Sequence, residues 1–319
     1  AIRRPMKTPE SGTEVFAPIA YSGTDSNQTL TTNFPVDMFN IMRRNGTSTD
    51  GLLDRLRGQI PFLVTQSTAA ENTSFTSSQM PLQDSNTGIT VQGQYFNSVG
   101  HTHVMHAFKR ATGFFDVVAY TGNGTTPRNI THNLGAVPEF IVTKRRDVGG
   151  SWAVYNPDLG ITSSSGIRLN TDDGWGYSQL TRYPSTPTST VYTVGNDSDV
   201  NSSGNTFISY LWTTLAGVSK VGSYTGTGSN VDVDCGFAAG ARLVIIKRYG
   251  TSTTGDWYIW DSARGIVAGN DPYLLLNSTA AEVTSTDYID PLSSGFTVTS
   301  SAPAALNASG GTYIFLAIA

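Results

Sequence analysis

The sequence predicts an all-β protein: three tandem antiparallel β-sandwich domains, jelly-roll-like, with an extended N-terminal arm. Three observations predict it. The composition is turn-rich, with 33 glycines and a charged fraction of only 14%, while hydrophobic residues at 38% suffice for cores. A closing turn-and-strand recurs as Asn97-Ser-Val-Gly100-His-Thr102-His103, Asn201-Ser-Ser-Gly204-Asn-Thr206-Phe207 and Asn307-Ala-Ser-Gly310-Gly-Thr312-Tyr313, each running into an apolar stretch. An opening strand recurs as Tyr21-Ser-Gly23, Tyr120-Thr-Gly122 and Tyr224-Thr-Gly226. The period of about 100 residues exceeds a solenoid unit and matches one small domain.

Taken in order, residues 1–13 hold Arg3, Arg4 and Lys7 with two prolines and little apolar content, which reads as an arm that anchors on a neighbouring subunit. The repeats are then 14–111, 112–217 and 218–319. After each Tyr-x-Gly comes a short apolar strand ending in cations: Met38 to Arg44, Phe140 to Arg145, and Leu243 to Arg248. The third is a near-continuous apolar run, as in a strand buried on both faces. The terminal cations read as solvated caps. Asp54-Arg-Leu-Arg57-Gly58 and Asp261-Ser-Ala-Arg264-Gly265 place an Asp and an Arg three apart, able to close a turn with a charge-assisted hydrogen bond. Repeat two has Asn156-Pro-Asp-Leu-Gly160 instead. A further short strand, with Val91, Val194 or Val298 at its end, precedes the closing strand, so each repeat holds about six strands. The connections around Ala111 and Ala216 are too short for free rotation, and a semi-rigid rod of three domains is expected.

Few constellations carry chemistry. A net charge of −4 offers no global basic field for nucleic acid, and no apolar run is long enough for membrane insertion. The single cysteine, Cys235, excludes an intrachain disulfide and lies beside carboxylates that raise its pKa. No secretory h-region follows the basic N-terminus. His101 and His103 share a strand face and are weak candidates for a metal on a trimer axis, but His103 takes the place of Phe207 and Tyr313, and His106 that of Tyr210 and Leu316, positions of a packed strand. No nucleophile motif occurs, and the one acid pair beside an aromatic, Asp172-Asp173 with Trp175, reads as a turn; no catalytic residue and no cofactor are expected. Trp175, Trp152 and Trp257 are candidates for glycan or receptor contact by stacking, Trp175 first.

Two stretches carry a resemblance. Lys220-Val-Gly-Ser-Tyr-Thr-Gly226 through Trp257-Tyr-Ile-Trp-Asp261 and Arg264-Gly265 is one; Leu292-Ser-Ser-Gly-Phe-Thr-Val298 through Gly310-Gly-Thr-Tyr-Ile-Phe-Leu-Ala317 is the other. Together they resemble the β-rich repeats of tailed-bacteriophage virion proteins, the tail fibres and head or neck fibres. The resemblance is close over repeat three, partial over repeat two and weakest over repeat one. It implies a non-enzymatic structural protein on the virion exterior, a tail fibre or fibre-like appendage that assembles through its arm and presents β-domains for host attachment. Other virion proteins of tail, neck or capsid, further copies of the chain (a trimer foremost) and a host-surface glycan are the implied partners. A capsid or neck decoration protein, or a glycan-binding module, is the alternative reading; a non-viral extracellular filament subunit ranks behind both.

Overall fold

In the computed structural model, which describes residues 6–319, the protein is nearly all β. Repeat one contributes β1 (Phe16–Ser22), β2 (Gln28–Thr31), β3 (Met38–Arg43), β4 (Gly51–Asp54), β5 (Gly88–Val91) and β6 (Thr102–Phe108). Repeat two contributes β7 (Phe115–Thr121), β8 (Arg128–Thr131), β9 (Phe140–Arg145), β10 (Ala153–Tyr155), β11 (Ile167–Arg168), β12 (Val191–Val194) and β13 (Thr206–Trp212). Repeat three contributes β14 (Ser219–Thr225), β15 (Val231–Asp234), β16 (Leu243–Tyr249), β17 (Trp257–Asp261), β18 (Leu274–Leu275), β19 (Ile289–Leu292), β20 (Gly295–Val298) and β21 (Thr312–Ile318).

Each repeat builds one antiparallel main sheet in the same order: β1-β6-β3-β4, β7-β13-β9-β10-β11 and β14-β21-β16-β17-β18. A small sheet covers one face of each, formed by β2-β5, β8-β12 and β15-β20-β19. The sandwich cores lie between them. Phe39, Ile41, Met105 and Ala107 meet Leu30 and Ile89 in repeat one. Ile141 and Leu211 meet Ile130 and Val194 in repeat two, and Ile246 and Phe315 meet Val233 and Phe296 in repeat three.

The recurring sequence cadence has a physical cause in these sandwiches. The Tyr21, Tyr120 and Tyr224 hydroxyls donate to the carbonyls of Phe96, Val200 and Leu306 at 2.6, 2.6 and 2.7 Å. The next residue in each case is the recurring asparagine. Asn307 accepts from Thr227 N at 2.9 Å and donates to the Ser229 and Thr299 carbonyls, so it ties the closing turn to the opening loop. Asn97 and Asn201 do the same at Thr24 and Asn123. A side chain on Gly226 would lie 2.5 Å from the Ala308 carbonyl oxygen, which is why the third residue of Tyr-x-Gly is glycine. Gly310, like Gly100 and Gly204, has a left-handed φ near the turn that starts the closing strand, 72° in its case.

The expected rod is not what forms. Every second residue of the closing strands points away from its own sandwich: Val104, Ile208 and Ile314, then Phe108, Trp212 and Ile318, join one core cluster that draws on all three repeats. Met38, Phe140 and Leu243 of the central strands lie in the same cluster. A cavity of about 60 Å³ remains where the sheets meet, lined by Phe108, Phe140, Trp212 and Leu316 among others. The main sheets are therefore apolar on both faces, and the second face is buried by the other two repeats instead of by solvent-covering loops.

Candidate interaction groove

Three seams join the repeats in a closed cycle, and their chemistry repeats. At the seam of repeats one and two, Gly150 N donates to the Thr68 carbonyl at 2.8 Å. At the seam of two and three, Gly255 N donates to Asp172 O at 2.9 Å; at that of three and one, Ser48 N donates to Thr279 O at 3.1 Å. The three donors are equivalent in the repeats, as are the three acceptors. The buried indoles follow the same rule. Trp152 Nε1 donates to the Val64 and Ser67 carbonyls, each at 3.1 Å, and Trp257 Nε1 donates to Arg168 O at 2.8 Å. In repeat one the corresponding residue is Asp50, hydrogen-bonded by Thr65 and raised well above the usual carboxylate range by burial.

The Asp–Arg turns close as expected and do more. Arg57 Nε meets Asp54 Oδ2 at 2.5 Å and Arg264 Nε meets Asp261 Oδ2 at 2.5 Å, with all four side chains buried. Each carboxylate also reaches the next repeat. Tyr210 donates to Asp54 at 2.7 Å, and His106 Nε2 lies 2.8 Å from Asp261. Burial alone would raise Asp261, but Arg264 and then His106 hold its carboxyl below the usual range. Bidentate pairs Arg146–Glu71 and Arg44–Glu282 lie further out on the same two seams.

The strand-end cations are thus not all solvated caps. Lys144 and Lys247 are fully buried. Their ammonium groups bridge two repeats, donating to Gly150 and Thr68 carbonyls in one case and to Gly255 and Asp172 carbonyls in the other. Burial pulls both down to about 8, with Arg145 adding to the effect at Lys144. The reason is the shared core: a strand end that would face water in a rod faces a neighbouring repeat here.

The seam between repeats two and three departs from the other two. Asn156 replaces the Asp, Leu316 replaces Tyr210 and His106, and Trp175 stands where Glu71 and Glu282 stand. Outside this seam runs a groove of about 460 Å³ along β14, lined by Glu139, Asp158, Asp232 and Asp234 with Lys220, and floored by Gly222 and Phe315. A Cβ on Gly222 would stand 3.0 Å from the Phe315 ring, so the glycine leaves the floor open. Glu139 accepts from Thr214 N at 2.7 Å, Asp232 from Thr297 Oγ1 at 2.6 Å, and Asp234 from Gly236 N at 2.8 Å. None of the four carboxylates is ion-paired with another described residue.

The equivalent places on the other seams hold arginines. Arg55 and Arg110 lie beside Asp37 and Asp116 on one, where Arg110 meets Asp116 at 2.5 Å. Arg242, the counterpart of Glu139, donates to the Phe16 carbonyl at 3.1 Å and stacks on that ring on the other. The acidic groove is therefore a local departure from threefold likeness, and single-residue motifs could not reveal it. The signal in the sequence was the alignment itself: Glu139 against Asp37 and Arg242, Pro157 against Arg55 and Ser262.

The other expected site residues fall as follows. Trp152 and Trp257 are 0% and 1% exposed, so neither offers a face for a sugar; the correction follows from the seams they fill. Trp175 is half-buried in the turn that crosses the divergent seam, where Gly174 N donates to Thr253 O. His103 is buried and stacks on Tyr21 with ring centroids 5.2 Å apart, and burial followed by Arg43 pulls it down to about 4. His101 lies just before β6, half-buried, and the described residues contain no His, Cys, Asp or Glu grouping suited to a metal ion. Arg3 and Arg4 lie outside the described residues, whereas Lys7 is exposed and pairs with Glu10 at 2.9 Å. Residues behind them dock on their own chain: Thr112 Oγ1 donates to Met6 O at 2.8 Å, and Gly12 packs on the Ala319 carbonyl. Cys235 is buried and pushed up to about 12, first by burial. No helix among the described residues is long and apolar enough to cross a membrane.

No curated protein matches this sequence. The family model described as a domain of unknown function, DUF7483, matches residues 11–319, a span that takes in all three repeats and the seams between them, and the chain belongs to that family.

Proposed function

We propose that the chain is a structural, non-catalytic component of a bacteriophage virion, a tail fibre or fibre-like appendage protein on the particle exterior. It assembles through its N-terminal arm and presents its β-domains outward for host attachment. The observation that supports this reading is the closed cycle of three repeats around one core, with a single seam set apart by an acidic groove. Trimeric symmetry is common in the fibres that the repeats resemble, and here one chain supplies a threefold body of its own. A body of this kind suits a rigid module whose outer surface is free for contact.

The test is location. Purified particles from an infected culture should contain the protein by mass spectrometry, and immunogold electron microscopy should place it on tail, neck or capsid. Label on the tail supports a fibre; label on neck or capsid supports a decoration protein instead. Presence in the lysate but absence from banded particles overturns the virion reading. A second reading, glycan binding, is favoured by one observation: Trp175 is half-exposed and sits on the same divergent seam as the groove. Glycan-array binding that is lost in Trp175→Ala would support it, and an array silent for the wild type would end it.

A further inference from the structure

We propose that the acidic groove along β14 receives the basic segment of residues 1–5 from a second copy of this chain. This rests on the reading that the chain assembles through its arm, and it names the surface that the arm meets. Four independent features point the same way. The groove carries four carboxylates against one lysine, and none of the four is ion-paired with another described residue. The segment carries Arg3 and Arg4 with no acid among its five residues. Both other seams carry an arginine of the chain at the corresponding place, Arg110 beside Asp116 on one and Arg242 against Phe16 on the other, whereas this groove is lined by a single cation, Lys220. Finally, β14 is the outer strand of its sheet; Val221 N is taken by Thr214 Oγ1 at 3.1 Å, and no described strand pairs with its outer edge.

The contact is heterologous: the arm of one copy meets the groove of the next. Such contacts close into rings or extend into filaments, according to the rotation between copies. Opposite charges in a solvent-lined groove steer association and are screened by salt, so the assembly is expected to weaken as the Debye length falls to about 3 Å near 1 M salt.

The experiment uses the full chain and a labelled synthetic peptide of residues 1–10. Light scattering at low salt should give a multiple of the 34.0 kDa chain mass. Peptide binding, read by fluorescence anisotropy, should weaken at least tenfold in Asp158→Lys/Asp234→Lys; both positions are exposed, so the fold is retained, which circular dichroism checks. Combining these changes with Arg3→Glu/Arg4→Glu should restore the higher mass. Absence of peptide binding overturns the proposal, as does a mass that ignores both charge reversals. A chain that binds peptide yet stays at one chain mass at every concentration also overturns it, because the occupant is then the chain's own arm. If groove and arm behave as stated but the protein is absent from particles, only the virion reading falls.

Discussion

Asp54→Ala tests whether the three repeats are one folding unit. The substitution removes the acceptor of Tyr210 and the nearest counter-ion of Arg57, whose remaining carboxylate, Glu71, is 3.7 Å away. Breaking a buried pair from one side costs about 3–5 kcal/mol. For all 319 residues unfolding together, an unfolding entropy of about 2.1 cal/mol/K per residue gives about 0.67 kcal/mol/K. The expected fall in Tm is then about 4–7 °C, in a single transition. For independent repeats the same cost would fall on about 100 residues and shift one transition by about 15–25 °C while leaving the others unmoved. Differential scanning calorimetry separates the two cases. Two or three resolvable transitions, of which only one moves, would refute the shared-core reasoning. A single transition whose calorimetric and van't Hoff enthalpies agree would support it.

Three further outcomes are expected. Gly226→Ala forces a methyl against the Ala308 carbonyl and should cost about 1–3 kcal/mol in chemical denaturation, more than Gly310→Ala, which meets open space and pays mainly for its positive φ, about 1 kcal/mol. Because Lys144 and Lys247 are lowered to about 8, the unfolded chain binds more protons than the native one between about pH 8 and 10. Stability should rise with pH there by up to ~1.4 kcal/mol per unit for each lysine, and urea denaturation of Lys144→Met/Lys247→Met should show that rise removed. Trp175→Phe should remove most of the acrylamide-quenchable tryptophan emission, since Trp152, Trp212, Trp257 and Trp260 are all buried.

The repeat pattern made the sandwiches legible, because its signature residues act within one repeat: Tyr224, Gly226, Asn307 and Gly310 all meet within a single closing turn. The arrangement of repeats was not legible from periodicity alone. In β21, Tyr313 and Phe315 pack into the sandwich while Ile314 and Leu316 pack into the common core, and both sets are apolar. A strand of that kind states that both faces are covered without stating by what. Short connections at Ala111 and Ala216 were equally compatible with a rod and with a closed cycle. The polar interlock was visible only as isolated oddities, an Asp–Arg turn at one place and a histidine at another, because Asp261 and His106 are 155 residues apart. The tryptophans misled for a related reason: Trp152 and Trp257 resemble stacking platforms in composition, yet they fill seams.

Joining three repeats in one polypeptide frees each seam to change by itself. In a homotrimer of single repeats, any substitution appears three times, so a groove could be gained only in triplicate and a lost ion pair would be lost at every interface. Here Asn156 and Leu316 alter one seam, while Asp54 with Tyr210 and Asp261 with His106 keep the other two locked. The groove along β14 therefore belongs to one seam of the three, and a partner seated in it would be held at one copy per chain.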